Sequence, residues 1–217
     1  MYCRKKISAM HQKKKSNAED SSKKKSLSVR KGIKSRARVR ERGEVFTNER
    51  EVNAILALTQ ATSNRYSRFL EPACGNGNFL EAILRQRLAH LKQDRMEWHP
   101  KNREFSVLKV LSTIYGVDIA EDNIAECKRR LRGVIFDYMP KKTSAEFLLA
   151  MDEIMRTNLI VGDMLNGVDK IFFTEYSTPA KNMFKRRVYA LAEMELGIEN
   201  IIKEYPTVSY KEMTHGE

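Results

Sequence analysis

Two hydrophobic rhythms alternate along this chain. Short apolar runs at Phe69-Leu70, Ile114–Ile119, Asn158–Val161 and Ile171–Phe173 predict strands. Between them apolar side chains recur at helical spacing: Leu80, Ile83, Leu84, Leu88 and Leu91; then Ile124, Cys127 and Leu131; then Phe147, Leu148, Met151, Ile154 and Met155. Upstream, Val52, Ile55, Leu56 and Thr59 give one apolar face to a helix that Asn48 and Glu51 would cap reciprocally. Ser106–Leu111 predicts a short helix, and Leu191, Met194 and Ile198 predict a last one. Strand–helix alternation of this kind predicts an α/β fold: a mostly parallel sheet with helices on both faces. The polar stretch from Lys92 to Glu104 reads as a surface insertion, with Trp98 a partly buried structural ring rather than a base-stacking platform.

Composition separates the start of the chain from the rest. The net charge of +12 is concentrated in residues 1–42, which hold 16 Lys or Arg against 3 acids, while the other 24 basic and 25 acidic residues nearly cancel. Residues 1–34 are rich in Lys and Ser and poor in large apolar side chains, so a disordered basic arm is expected before a folded part at 35–217. Such an arm can gather nucleic-acid phosphates without reading sequence. It can equally be a solvated tail. A chain of 217 residues buries one good core, hardly two. Three scattered cysteines make neither a disulfide framework nor a metal site. With no apolar run of membrane-spanning length, a reduced, cytoplasmic setting is the expectation.

The candidate chemistry begins where the first strand meets its helix, at Glu71-Pro72-Ala73-Cys74-Gly75-Asn76-Gly77-Asn78-Phe79. Gly75 and Gly77 allow a sharp turn and a close approach of backbone to ligand. Two glycines alone also fit a plain strand-to-helix turn. Asp118, after Tyr115-Gly116-Val117, puts a carboxylate at the carboxyl end of a buried strand, where it can accept ribose hydroxyls. Asp163 follows a third apolar run in a Gly-Asp pair that is also a common turn.

Taken together, Glu-Pro-Ala-Cys-Gly-x-Gly-x-Phe at 71–79 and Arg-Gly-Glu-Val-Phe-Thr at 42–47 resemble S-adenosylmethionine-dependent DNA methyltransferases of the adenine-N6 type, especially modification subunits of restriction–modification systems. The resemblance implies a Rossmann-like methyltransferase sheet binding S-adenosylmethionine. It would set Phe46 and Thr47 beside the methionine end of the cofactor, although Asn48 stands where a Pro usually follows. Glu71, Pro72, Ala73, Cys74, Gly75 and Gly77 would run along the amino-acid part, with Asp118 at the ribose and Asp163 at the adenine amine; Phe79 and Ile119 would belong to the same cofactor pocket.

The resemblance covers roughly residues 35–175 and stops short of catalysis. Adenine-N6 enzymes carry an (Asp/Asn/Ser)-Pro-Pro-aromatic loop after the fourth strand, which orients the target amine and stacks on the flipped base. None of the five prolines here is paired with another, and Ser177-Thr178-Pro179 lacks the aromatic that should follow. Catalytic residues are therefore unassigned. Lys185-Arg186-Arg187 reads as a solvated face or a phosphate contact. Two functions are expected: a DNA methyltransferase, truncated, split or working with a second chain that supplies the loop and target recognition; or a catalytically silent cofactor- or DNA-binding remnant.

Overall fold

The computed structural model describes residues 35, 40, 47–59, 64–192 and 201–213. The chain divides into two compact units, Met1–Asn48 and Glu49–Glu217. The basic arm at 1–34, Phe46, and the helix expected around Met194 and Ile198 lie outside the described residues.

The second unit opens with α1 (Glu49–Thr59), directly after Asn48, and buries Val52 and Leu56. Ile55, expected on the same face, is exposed instead. Then come β1 (Phe69–Glu71), α2 (Asn78–Gln93), α3 (Arg103–Leu111), β2 (Ile114–Asp118), α4 (Glu121–Tyr138), α5 (Ala145–Asn158) and β3 (Leu159–Val161). All five apolar residues foreseen on α2 are fully buried. Each such side chain contributes roughly 1.5–3 kcal/mol, so packing rather than propensity holds the helix in place. Trp98 is half-buried against the same core, with the Arg103 guanidinium over its ring.

β1, β2 and β3 form a parallel sheet in that order, with Phe69 opposite Ile114 and Gly116 opposite Leu159. Side chains alternate across it. One face, with Ile114, Gly116 and Leu159, meets α2, α4 and α5. The other carries Tyr115, Val117 and Ile160 and is covered by Ile171, Phe173 and Leu191. Helices on both faces were expected. Among the described residues the second face is covered instead by β4 (Phe172–Ser177) and the residues flanking it.

β4 departs from the expected plan in direction as well. It pairs antiparallel with β5 (Met183–Ala190), which pairs with β6 (Ile201–Glu204) and, at its start, with β7 (Val208–Ser209). Ile171, just before β4, packs against Gly162 and neighbours Val117 near the carboxyl ends of β2 and β3. Further on, Phe173 meets Tyr115 edge-on, and the Tyr176 hydroxyl lies 2.8 Å from Thr157 Oγ1, just ahead of β3. The strand thus runs from the carboxyl end of the parallel sheet toward its amino end. Ser177-Thr178-Pro179 is carried away from the glycine turn, which removes it as a stand-in for the catalytic loop.

The basic triplet on β5 is not a solvated face. Arg186 is buried, with its Nη1 3.3 Å from a Glu153 carboxylate oxygen and its guanidinium over the Tyr205 ring. Lys185 and Arg187 share Glu204 at 2.8 and 2.6 Å.

Candidate functional site

After Glu71 the backbone must leave β1 and start α2 within a few residues. Cys74 does this by donating its N–H to the Val117 carbonyl at 2.8 Å, which ties the turn to the neighbouring strand. Gly77 then donates to the Cys74 carbonyl at 2.8 Å. Gly75 and Gly77 have φ of 53° and 86°, the left-handed region that side chains rarely adopt. Space also demands glycine at the second: a Cβ on Gly77 would lie 2.5 Å from Cys127 Sγ. From α4, Arg130 fastens the turn on its outer side. It donates to the Asn76 carbonyl at 3.2 Å and to Asn78 Oδ1, and pairs with Glu81 at 2.5 Å.

Asp118 faces this turn across the strand ends. One carboxylate oxygen accepts the Gly75 N–H at 2.9 Å. The other accepts the Ala120 N–H at 2.8 Å and the Asn123 side-chain amide at 3.0 Å, just ahead of and within the first turn of α4. The carboxylate thus serves three local donors, leaving acceptor capacity on the oxygen that Gly75 engages. Asp163, two residues past β3, closes its own turn through the N–H groups of Leu165 and Asn166 and the Asn166 amide. Those donors, the Asn166 side chain first, hold its carboxyl below the usual carboxylate range.

The strand ends also carry exposed apolar side chains. Ile119 is 58% exposed, Val161 48% and Leu165 91%. Pro72 and Ala73 are exposed, Phe79 is half-buried against the core, and Cys74 is buried. The Cys74 thiol is pushed far up by its contact with the Cys127 thiol and by burial, so it is no nucleophile at neutral pH. Burial likewise raises Glu71, against the lowering bond from the Ala73 N–H. Among the described residues no group of three or more His, Cys, Asp or Glu could hold a metal ion. No helix among them is long and apolar enough to cross a membrane.

Several groups at these strand ends can bind a polar ligand. The first turn of α2, whose N-cap Gly77 brings no side-chain cap, offers backbone N–H groups to a carboxylate. Asn76 Oδ1 is buried without a hydrogen-bond partner, an orphan acceptor that an ammonium or hydroxyl would satisfy. Asp118 and Asp163 add carboxylates, and Ile119 and Leu165 add apolar walls.

The fold brings together Glu71, Pro72, Ala73, Cys74, Gly75, Gly77, Phe79, Asp118, Ile119 and Asp163 at the carboxyl end of one parallel sheet. Thr47 belongs to the other unit. Sequence reasoning missed Arg130, Asn76, Asn123 and Leu165. No periodicity marks Arg130 or Asn123, whose partners on the turn or on Asp118 are defined only by the fold. Leu165, an apolar residue in a polar turn just after Gly162-Asp163, was the one available signal. No protein-family model matches the chain, and no curated protein matches it.

Proposed function

We propose that the carboxyl end of the parallel sheet binds S-adenosylmethionine. On this reading the chain is a DNA methyltransferase of the adenine-N6 type, or the cofactor-binding part or subunit of one, acting in DNA modification in the cytoplasm. The observation that carries the reading is the bond from the Gly75 N–H to Asp118, which joins a left-handed glycine turn to an acid-tipped neighbouring strand. Ligands of open α/β sheets bind outside the carboxyl ends of the strands, and this turn lies there.

In the proposed complex the Glu71–Gly77 turn and the start of α2 hold the amino-acid part. Asp118 takes the ribose, and Ile119 and Leu165 flank the adenine near Asp163. The cofactor supplies an electrophilic methyl group, and in-line transfer to an amine requires no covalent enzyme adduct. The residues that orient the target amine are not assigned to this chain, because β4 leads away from the site. A second chain bringing that loop and target recognition completes the proposal. The basic arm at 1–34 contributes DNA phosphate contacts.

The direction of β4 and the three local donors on Asp118 favour a second reading, a catalytically silent remnant that keeps the fold. Calorimetric titration with S-adenosylmethionine, beside Leu165→Glu and Asp118→Asn, tests the cofactor site, and methyl transfer separates the enzyme from a silent cofactor- or DNA-binding remnant. Leu165 is almost fully exposed, so its replacement leaves the fold intact. Saturable binding weakened in both variants supports the cofactor site, and methyl transfer to unmethylated DNA with candidate partner chains then tests the enzyme. A folded protein that does not bind S-adenosylmethionine removes the cofactor assignment.

A further inference from the structure

Away from the glycine turn, toward the amino ends of β1 and β2, lies a cleft of about 340 Å³. Leu70 and Tyr115 of the parallel sheet form one wall, and Phe173, Glu175, Arg187 and Tyr189 of the antiparallel sheet form the other. The two sheets meet here at a corner. Antiparallel pairing sets Phe173 opposite Tyr189 and Glu175 opposite Arg187, so these four side chains share one face.

The corner is stiffly built. The Tyr115 hydroxyl donates to the Thr174 carbonyl at 3.2 Å, pinning one sheet to the other. The Tyr115 and Phe173 rings meet edge-on with centroids 5.3 Å apart. Tyr189 donates its hydroxyl to Glu175 at 3.2 Å, and Arg68, at the entrance to β1, pairs with the other Glu175 oxygen. Leu70 remains 36% exposed, although it lies on the sheet face that the antiparallel strands otherwise cover. Three aromatic rings and two leucines, Leu70 and Leu191, thus line a half-open, preformed apolar cleft of a size that small-molecule sites share.

Hydrogen-bonding capacity at the rim decides what fits. Glu175, the one acid among the described residues lining the cleft, already serves Arg68 and Tyr189. Arg68 and Arg187 each carry about five N–H donors. Arg68 gives one bond to Glu175, and its side chain is 61% exposed; Arg187 gives its Nε–H to Glu204 and also engages the Tyr189 hydroxyl. Spare donors outnumber spare acceptors, so a ligand must bring the acceptors. A carboxylate met by guanidinium, with a flat ring among Tyr115, Phe173 and Tyr189, satisfies both the polar rim and the apolar floor.

We propose that this corner cleft is a second binding site, separate from the strand-end site, for a small planar aromatic carboxylate. The proposal does not rest on S-adenosylmethionine binding.

The probes are 2-naphthoate and its charge-reversed counterpart 2-naphthylmethylammonium, titrated calorimetrically into the full chain with binding confirmed by saturation-transfer NMR. The expected result is one saturable 2-naphthoate site, with the cation bound about tenfold or more weakly. Leu70→Trp fills the cleft and abolishes binding. Arg68→Gln, a change at an exposed side chain that keeps the fold, weakens it several-fold. Leu165→Glu and added S-adenosylmethionine leave it unchanged. Thermal unfolding certifies each variant as folded. Absence of saturable binding, equal affinity for both probes, undiminished binding in folded Arg68→Gln, or competition by S-adenosylmethionine overturns the proposal.

Discussion

Asp118 Oδ2 lies 2.9 Å from the Gly75 nitrogen, across 43 residues of sequence, and through this bond the second strand holds the turn that follows the first. The same carboxylate also accepts the Ala120 N–H and the Asn123 side-chain amide at the start of α4. Asp118→Ala removes all three acceptor contacts and is expected to cost on the order of 1–3 kcal/mol. Urea unfolding measures the loss. A change within error would mean that the turn holds itself.

Gly77→Ala meets two obstacles, a left-handed backbone and Cys127 Sγ at 2.5 Å from the new Cβ. The two can be separated. In the wild-type background the substitution should cost more than about 2 kcal/mol; with Cys127→Ala already present the Sγ clash is gone and the cost should fall toward the backbone strain of about 1 kcal/mol, plus the closer packing against the residue-127 Cβ at 3.1 Å. A double-mutant cycle by denaturant unfolding reads the difference, and strict additivity would exclude the clash.

Glu153 is buried between Arg156, at 2.8 Å, and the buried Arg186, at 3.3 Å. Glu153→Ala strands the Arg186 charge in the interior and should destabilise the protein by about 3–5 kcal/mol. Replacing both Glu153 and Arg186 by Met should recover much of that loss, since no unpaired interior charge is left. If the double variant is as unstable as the single, the pair itself and not the stranded charge carries the energy.

Glu71 gives a pH signature. Desolvation raises its carboxyl in the folded chain, so the folded state binds the proton more tightly than the unfolded one. Stability from this group is therefore full below the ordinary carboxylate value of the unfolded chain and is lost as pH rises from there through the raised value of the folded one. Glu71→Gln lacks the charge, and its Tm advantage over wild type should widen from acid toward neutral pH. A difference in Tm that is flat with pH would refute this account.

Much of the first half of the fold was legible in the chain, because its signals are local. The period of Leu80 to Leu91 required one buried helix face, and Gly75 and Gly77 required an unusual backbone between strand and helix. Those constraints survive in any tertiary context. The orientation of β4 was not legible. Ile171-Phe172-Phe173 is an apolar run that suits either strand direction, and its pairing was decided by β5 beyond a short loop. Arg186 was misread for a related reason. A triplet of bases looks solvated until Glu153, 33 residues away, is known to face the middle one.

The reversal of β4 has a consequence for how the chain emerges from the ribosome. The β4–β5 hairpin pairs neighbours in sequence and can form within microseconds of its release. The parallel strands each wait for a helical crossover, and their second face has no cover until Ile171, Phe173 and Leu191 have been made. A nascent chain arrested after β3 would present Tyr115, Val117 and Ile160 to solvent. Synthesis of the next 30 or so residues, at about 5–20 per second, therefore sets a window of seconds in which a chaperone has apolar surface to hold.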